Sequence, residues 1–154
     1  MKTLILYTSK YGATKEISQR IAQKMESATI CDLKQGDIPP IMGFDRIIIG
    51  SSVYAGSIRK EAKAFAKNNA AALGEKTVGL FISGFVEDDK YFATNFPQNL
   101  LDKVKAKGFL GGIFDPQKAN GLERLIVKAV MKKSDYIEKI DDAAIEKFVN
   151  IIRG

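Results

Sequence analysis

Two kinds of apolar pattern alternate along this chain, and that alternation restricts its fold more than any other feature. Short continuous apolar runs occur at Thr3–Tyr7, Ala28–Leu33, Arg46–Gly50, Thr77–Ser83 and Phe109–Phe114. Runs of this length, closed by polar or glycine residues, read as strands buried on both faces. Segments with helical spacing lie between them. Over Thr14–Met25, Ile17, Ile21, Ala22 and Met25 share one face and Lys15, Glu16, Gln19, Arg20 and Lys24 the other. Over Ser57–Ala72, Ala62, Phe65 and Ala66 turn inward, with Lys60, Lys63 and Lys67 outward. A loop with Pro39-Pro40 spans Lys34–Met42. Asn95–Lys107 reads as a third helix, with Lys103, Lys105 and Lys107 at a C-terminus whose dipole favours positive charge. Asp141–Ile152 reads as a closing helix with Asp141 as its N-cap. Strands alternating with helices imply right-handed crossovers and a parallel sheet covered on both sides. The expected architecture is an α/β, three-layer α-β-α sandwich around a doubly wound five-stranded sheet, order 2-1-3-4-5. Its 154 residues suit one domain, 1–154, with a basic segment inserted at about 116–140.

Sheets of this kind bind ligands beyond the carboxyl ends of their strands, at the switch between strands 1 and 3. Three loops meet there. Thr8, Ser9, Lys10, Tyr11, Gly12, Ala13 and Thr14 join strand 1 to helix 1. Their hydroxyls, one glycine and the free amides of a helix start suit a phosphate. Gly12 lets the backbone approach a ligand, and Thr14 can cap the helix and bind a phosphate oxygen. A capped turn without a ligand has the same residue types. Ser51, Ser52, Val53, Tyr54, Ala55 and Gly56 follow the most apolar strand; Tyr54 is either a ring-stacking face or a half-buried anchor. Ser83, Gly84 and Phe85 open the third loop, and Glu87, Asp88 and Asp89 continue it as a solvated acidic stretch rather than a metal site.

Composition excludes several chemistries. Histidine is absent, which removes His-based triads, His metal sites and imidazole acid–base catalysis. The lone cysteine, Cys31, precludes an intrachain disulfide and reads as a buried structural thiol. A net charge of +6 predicts attraction to something anionic without specifying it. No run approaches the ~20 apolar residues of a membrane span, and the N-terminal run is too short for a signal peptide. A receiver domain of the response-regulator kind is excluded, because Tyr7-Thr8-Ser9 and Gly50-Ser51 stand where its carboxylates belong.

The first loop, TSKYGAT, resembles the phosphate loop of the flavodoxins, commonly Ser/Thr-x-Thr-Gly-x-Thr. Ser9, Gly12 and Thr14 match it, and Tyr11 replaces the usual threonine. The same place is altered in flavodoxin-like menaquinone-dependent protoporphyrinogen dehydrogenases. LIVKAVMKK, Leu125–Lys133, resembles a segment those enzymes add before the last helix. The resemblance covers nearly the whole chain and implies FMN as cofactor. It places the phosphate on Thr8–Thr14 and the flavin ring between Ser51–Gly56 and Ser83–Phe85, with Tyr54 stacking and Gly56 at the N5 edge. The flavin would carry the chemistry, with no catalytic side chain and no metal.

Three functions follow as expectations. The first is an FMN oxidoreductase of the quinone-dependent dehydrogenase type, acting on protoporphyrinogen-type substrates. The second is an electron-transfer carrier, against which the charge of +6 argues because flavodoxin shuttles are typically strongly acidic. The third is a flavin-free binding module of the same fold. The expected partners are a redox protein or quinone and no nucleic acid. Within 116–140, Leu122, Leu125, Ile126, Ala129 and Val130 recur at helical spacing among Lys118, Arg124, Lys128, Lys132 and Lys133, with Glu123 the one acid between Lys118 and Lys133. Either this apolar face packs on the sheet, or the segment lies over the flavin edge and Lys128, Lys132 and Lys133 meet an anionic membrane surface or porphyrin carboxylate. The expected location is cytoplasmic, peripheral to the inner face of the membrane at most.

Overall fold

The computed structural model describes residues 1–131 and 135–154. Strand β1 (Thr3–Thr8) is buried along its whole length and lies between β2 (Ala28–Asp32) and β3 (Arg46–Tyr54), parallel to both. Its Leu6 stands opposite Cys31 on one side and Ile49 on the other. Strand β4 (Ser57–Ile58) folds back antiparallel on β3. Strand β5 (Thr77–Ser83) pairs with β3, and β6 (Ala106–Phe109) with β5, both parallel. The order β2-β1-β3-β5-β6 is the expected doubly wound path, with β4 as a side addition.

Successive side chains on these strands enter opposite layers. Leu4 and Leu6 join Ile47, Ile49, Leu80 and Ile82 under α2 (Lys60–Asn68), α3 (Ala70–Leu73), α4 (Lys90–Asn95) and α5 (Gln98–Leu101). Ile5, Ile48 and Phe81 face the other way, against Ile17 and Ile21 of α1 (Ala13–Gln23) and Ile145, Phe148 and Ile152 of α7 (Asp142–Arg153). Each such fully buried side chain contributes roughly 1.5–3 kcal/mol. Asp141 caps α7 as expected, its Oδ1 accepting the Ala144 N–H at 2.9 Å.

Several elements differ from the sequence reading. The helix expected over Asn95–Lys107 is replaced by the end of α4, short α5 and β6. Pro97 lacks an N–H and forces Phe96 into an extended conformation (φ −119°, ψ 147°), which ends α4. Beyond it, Val104, Ala106 and Leu110 alternate as on a strand, and the Lys105 N–H already bonds Val78 O at 2.9 Å. Lys105 therefore precedes a strand and Lys107 lies within it, rather than at a helix end. The fifth sheet strand is thus Ala106–Phe109, not Phe109–Phe114. Gly111–Phe114 forms β7, which pairs antiparallel with β8 (Ile137–Ile140). The helix expected over Ser57–Ala72 loses its start to β4 and divides at Asn69. Cys31 is half-buried rather than buried, because β2 is an edge strand, and its Sγ donates to Asp37 O at 3.2 Å. Burial and the nearby Asp37 and Asp32 carboxylates raise its thiol pKa, as suits a structural cysteine.

Between β7 and β8 the chain forms α6 (Gly121–Met131). Of the two readings of this segment, the one in which its apolar face packs on the sheet does not hold for Leu122 and Leu125, which are 61% and 66% exposed. The buried side belongs to Glu123, with Ile126 and Val127 partly covered. Lys132 and Lys133 lie outside the described residues.

Candidate functional site

At the carboxyl ends of β1, β3 and β5 the loops enclose a cavity of about 280 Å³. Its floor comes from Ser9, Lys10, Tyr11 and Ala13. Gly12 adopts φ +90°, a left-handed conformation that favours glycine, and no atom lies within 4 Å of where its Cβ would stand. The Gly12 N–H is bonded to Ser9 Oγ at 2.9 Å, and Lys34 Nζ donates to Ser9 O at 2.6 Å. The N–H groups of Lys10, Tyr11, Ala13 and Thr14 find no acceptor among the described residues. Free amides at a helix start, beside an open glycine, are the donor set a phosphate needs. FMN therefore fits this end of the cavity by its donors.

Thr14 has a different role from the expected one. It neither caps α1, whose N-cap is Gly12, nor lines the cavity. Its hydroxyl is fully buried, 2.8 Å from Ser83 Oγ, and joins the first loop to the end of β5. Thr8 is also fully buried, with its Oγ1 unpaired. Ser51 likewise supports from behind: its Oγ accepts the Arg59 N–H at 2.9 Å and donates to Ser52 O at 2.9 Å.

The second loop is the tip of the β3–β4 hairpin. Ala55 (φ 50°) and Gly56 (φ 79°) give it the pair of positive φ angles of a tight primed turn. Ser52, Val53, Tyr54, Ala55 and Gly56 all line the cavity, and Tyr54 is 38% exposed. Asn95, buried in α4, props this tip: its Nδ2 donates to Gly56 O at 2.8 Å and its Oδ1 accepts the Ile58 N–H at 3.1 Å. Ser83, Gly84 and Phe85 line the opposite wall, and the Gly84 N–H bonds Gly111 O at 2.9 Å.

Further residues, outside the candidate site set read from the sequence, complete the cavity. Arg59, Val86 and Tyr91 line the sides; Gly112, Ile113 and Phe114 of β7 and Glu123, Ile126 and Val127 of α6 cover the top. Glu123 is 4% exposed. Its carboxylate accepts from both Lys10 Nζ and Tyr11 Oη on the first loop. Burial opposes its ionisation, but the bonds from Lys10 and Tyr11 outweigh it and hold the carboxyl below its ordinary pKa. Burial, then the bond to Glu123, pushes the Tyr11 phenol up, so it stays protonated. Its ring meets Phe114 edge-on, with centroids 5.6 Å apart. Arg59 has no acidic partner among the described residues, so it is the cavity cation left unneutralised.

A doubly wound sheet with a phosphate-type loop at the β1/β3 switch defines a flavodoxin-like architecture. Residues 4–141 match the flavodoxin domain family, and the chain belongs to it. The protoporphyrinogen IX dehydrogenase [quinone] of Escherichia coli K12 is 23% identical over 146 residues, covering 87% of this chain and 81% of that protein. A flavodoxin from Streptococcus pneumoniae TIGR4 superposes with a TM-score of 0.60 at 17% identity, over 99% of this chain and 96% of its own. A flavoprotein from Lactobacillus acidophilus NCFM, solved in complex with FMN, gives 0.55 at 20% identity, over 72% and 92%. These likenesses establish the fold. The family relationship and the oxidoreductase relative support a redox role.

Proposed function

We propose that the chain binds FMN and oxidises a protoporphyrinogen-type substrate, with a quinone as electron acceptor. The observation that carries this reading is the convergence in one cavity of unbonded first-loop amides with the walls Ser52–Gly56 and Ser83–Phe85. The Escherichia coli relative supports the choice of substrate and acceptor. FMN, when bound, would supply the redox chemistry by accepting hydride from substrate and passing electrons to quinone. The residues of this chain bind and orient. The amides of Lys10, Tyr11 and Ala13 take the phosphate; Tyr54 and Phe85 flank the ring; β7 and α6 exclude water from above. Arg59 offers its guanidinium to a substrate carboxylate. The outward Leu122 and Leu125, with Lys128 beside them, suit contact with an anionic membrane surface, from which a lipid-soluble quinone would reach the cavity.

The first test is the absorption spectrum after incubation with FMN and removal of excess. Oxidised-flavin bands that remain with the protein are expected, and their absence would leave a flavin-free binding module. Turnover of protoporphyrinogen with a quinone then separates the enzyme from a one-electron carrier, which would exchange electrons with redox proteins but show no turnover.

A further inference from the structure

We propose that Glu123 is a positioning residue that clasps α6 to the first loop and sets how long a bound flavin is retained. The inference rests on the FMN reading of the cavity. Both carboxylate oxygens are engaged, Oε1 by Lys10 and Oε2 by Tyr11, across more than 110 residues of chain. The Glu123 backbone is fixed as well, its N–H donating to Asn120 Oδ1 at 2.8 Å in the first turn of α6. Apolar anchoring of α6 is sparse, because Leu122 and Leu125 face outward and Val127 packs beside Phe114, Tyr11 and Phe85. The buried pair is therefore the main polar tie between roof and floor. Removing Lys10 leaves the Glu123 carboxylate, on a side chain 5% exposed, with little solvent and only Tyr11 to bond it, and removing Glu123 frees both first-loop partners at once, so the clasp works as a unit.

Cavity size links the clasp to exchange. At about 280 Å³ the space lies below the roughly 300–1,000 Å³ of most ligand clefts. Glu123, Ile126 and Val127 of α6 cover the cavity, so holding α6 down through Glu123 slows the passage of a flavin. A roof clasp acts on any ligand beneath it, with or without a phosphate.

The test is release of FMN and of riboflavin from the reconstituted protein into an excess of flavin-binding trap, followed by fluorescence. Glu123→Gln and Lys10→Met should each speed release of both flavins by about tenfold or more, the scale of one charge-assisted hydrogen bond. The double variant should be no faster than either single one. Tyr11→Phe, which keeps the ring on Phe114, should show a smaller increase. Trypsin should cut the Glu123→Gln variant sooner at Arg124 and Lys128, with or without flavin. Unchanged release rates, additive effects in the double variant, or acceleration of FMN alone would overturn the clasp; the last would make Lys10 a direct phosphate ligand. If the unaltered protein retains neither flavin, the FMN reading fails, and unchanged trypsin susceptibility of Glu123→Gln would then overturn the clasp separately.

Discussion

Thr14 presents its hydroxyl to Ser83 where solvent does not reach, so its work is to join the first loop to β5. Thr14→Val keeps the shape and strands the Ser83 hydroxyl. Unfolding in denaturant should show a loss of about 1–3 kcal/mol, with the preference for FMN over riboflavin unchanged. A selective loss of FMN affinity would put Thr14 Oγ1 on the phosphate after all. Glu123 makes a pH-dependent contribution. Its carboxyl titrates lower in the folded chain than the ordinary value of 4.5. The stabilisation is therefore complete above that value and is lost as pH falls through the folded one. The melting-temperature gap between the unaltered protein and Glu123→Gln should be widest near neutrality and shrink as the pH falls below 4.5; a gap that widens in acid would contradict this. The sequence offered a weak sign of Glu123 as the one acid among the cations of 118–133. What it touches, a lysine and a tyrosine more than 110 residues earlier in the chain, depends on tertiary structure that no local pattern encodes.

At the level of elements, legibility followed the strength of the pattern. β1, β3 and β5 each carry a long apolar run that needs cover on both faces, and each was placed to within a few residues. β6 was misread because Ala106–Phe109 contains an alanine, a lysine and a glycine, and its alternation was hidden in the lysines around it. β7 was recognised as a strand but given the wrong partner, since Gly111 and Gly112 do not declare whether a neighbour is parallel. For α6 the pattern shows the helix and leaves its orientation open. Helical spacing shows that a face exists, and here Glu123, rather than the leucines, turns inward. The exposed leucines with Lys128 predict salt-sensitive binding to vesicles of anionic lipid and none to neutral ones. Each basic residue near such a surface contributes about 1 kcal/mol, so Lys128→Glu/Lys132→Glu/Lys133→Glu should weaken sedimentation with anionic vesicles by roughly a hundredfold at low salt. Equal sedimentation of both proteins would leave α6 as a roof alone.

Across the whole molecule, strand order and the location of the cavity were legible together, because a doubly wound sheet has one switch point and its loops must meet there. How the roof closes was not, because β7 and β8 pair as a separate antiparallel ladder, Gly111 with Ile140, on which the placing of α6 depends. Net charge also acts at this scale. The chain carries +6, and the cavity cation left without an acid is Arg59. Its long-range field attracts anionic acceptors and repels cationic ones, and salt weakens both effects over a Debye length of about 10 Å at 0.1 M. Once loaded with FMN and chemically reduced, the protein should pass electrons to ferricyanide at a rate that falls as ionic strength rises. With a cationic metal complex of similar driving force the rate should rise instead. Stopped-flow measurement of both reactions between 10 mM and 500 mM salt decides the matter. Opposite slopes would fit a protein adapted to anionic partners, whereas flat slopes would show that the charge lies too far from the cavity to steer its reactions.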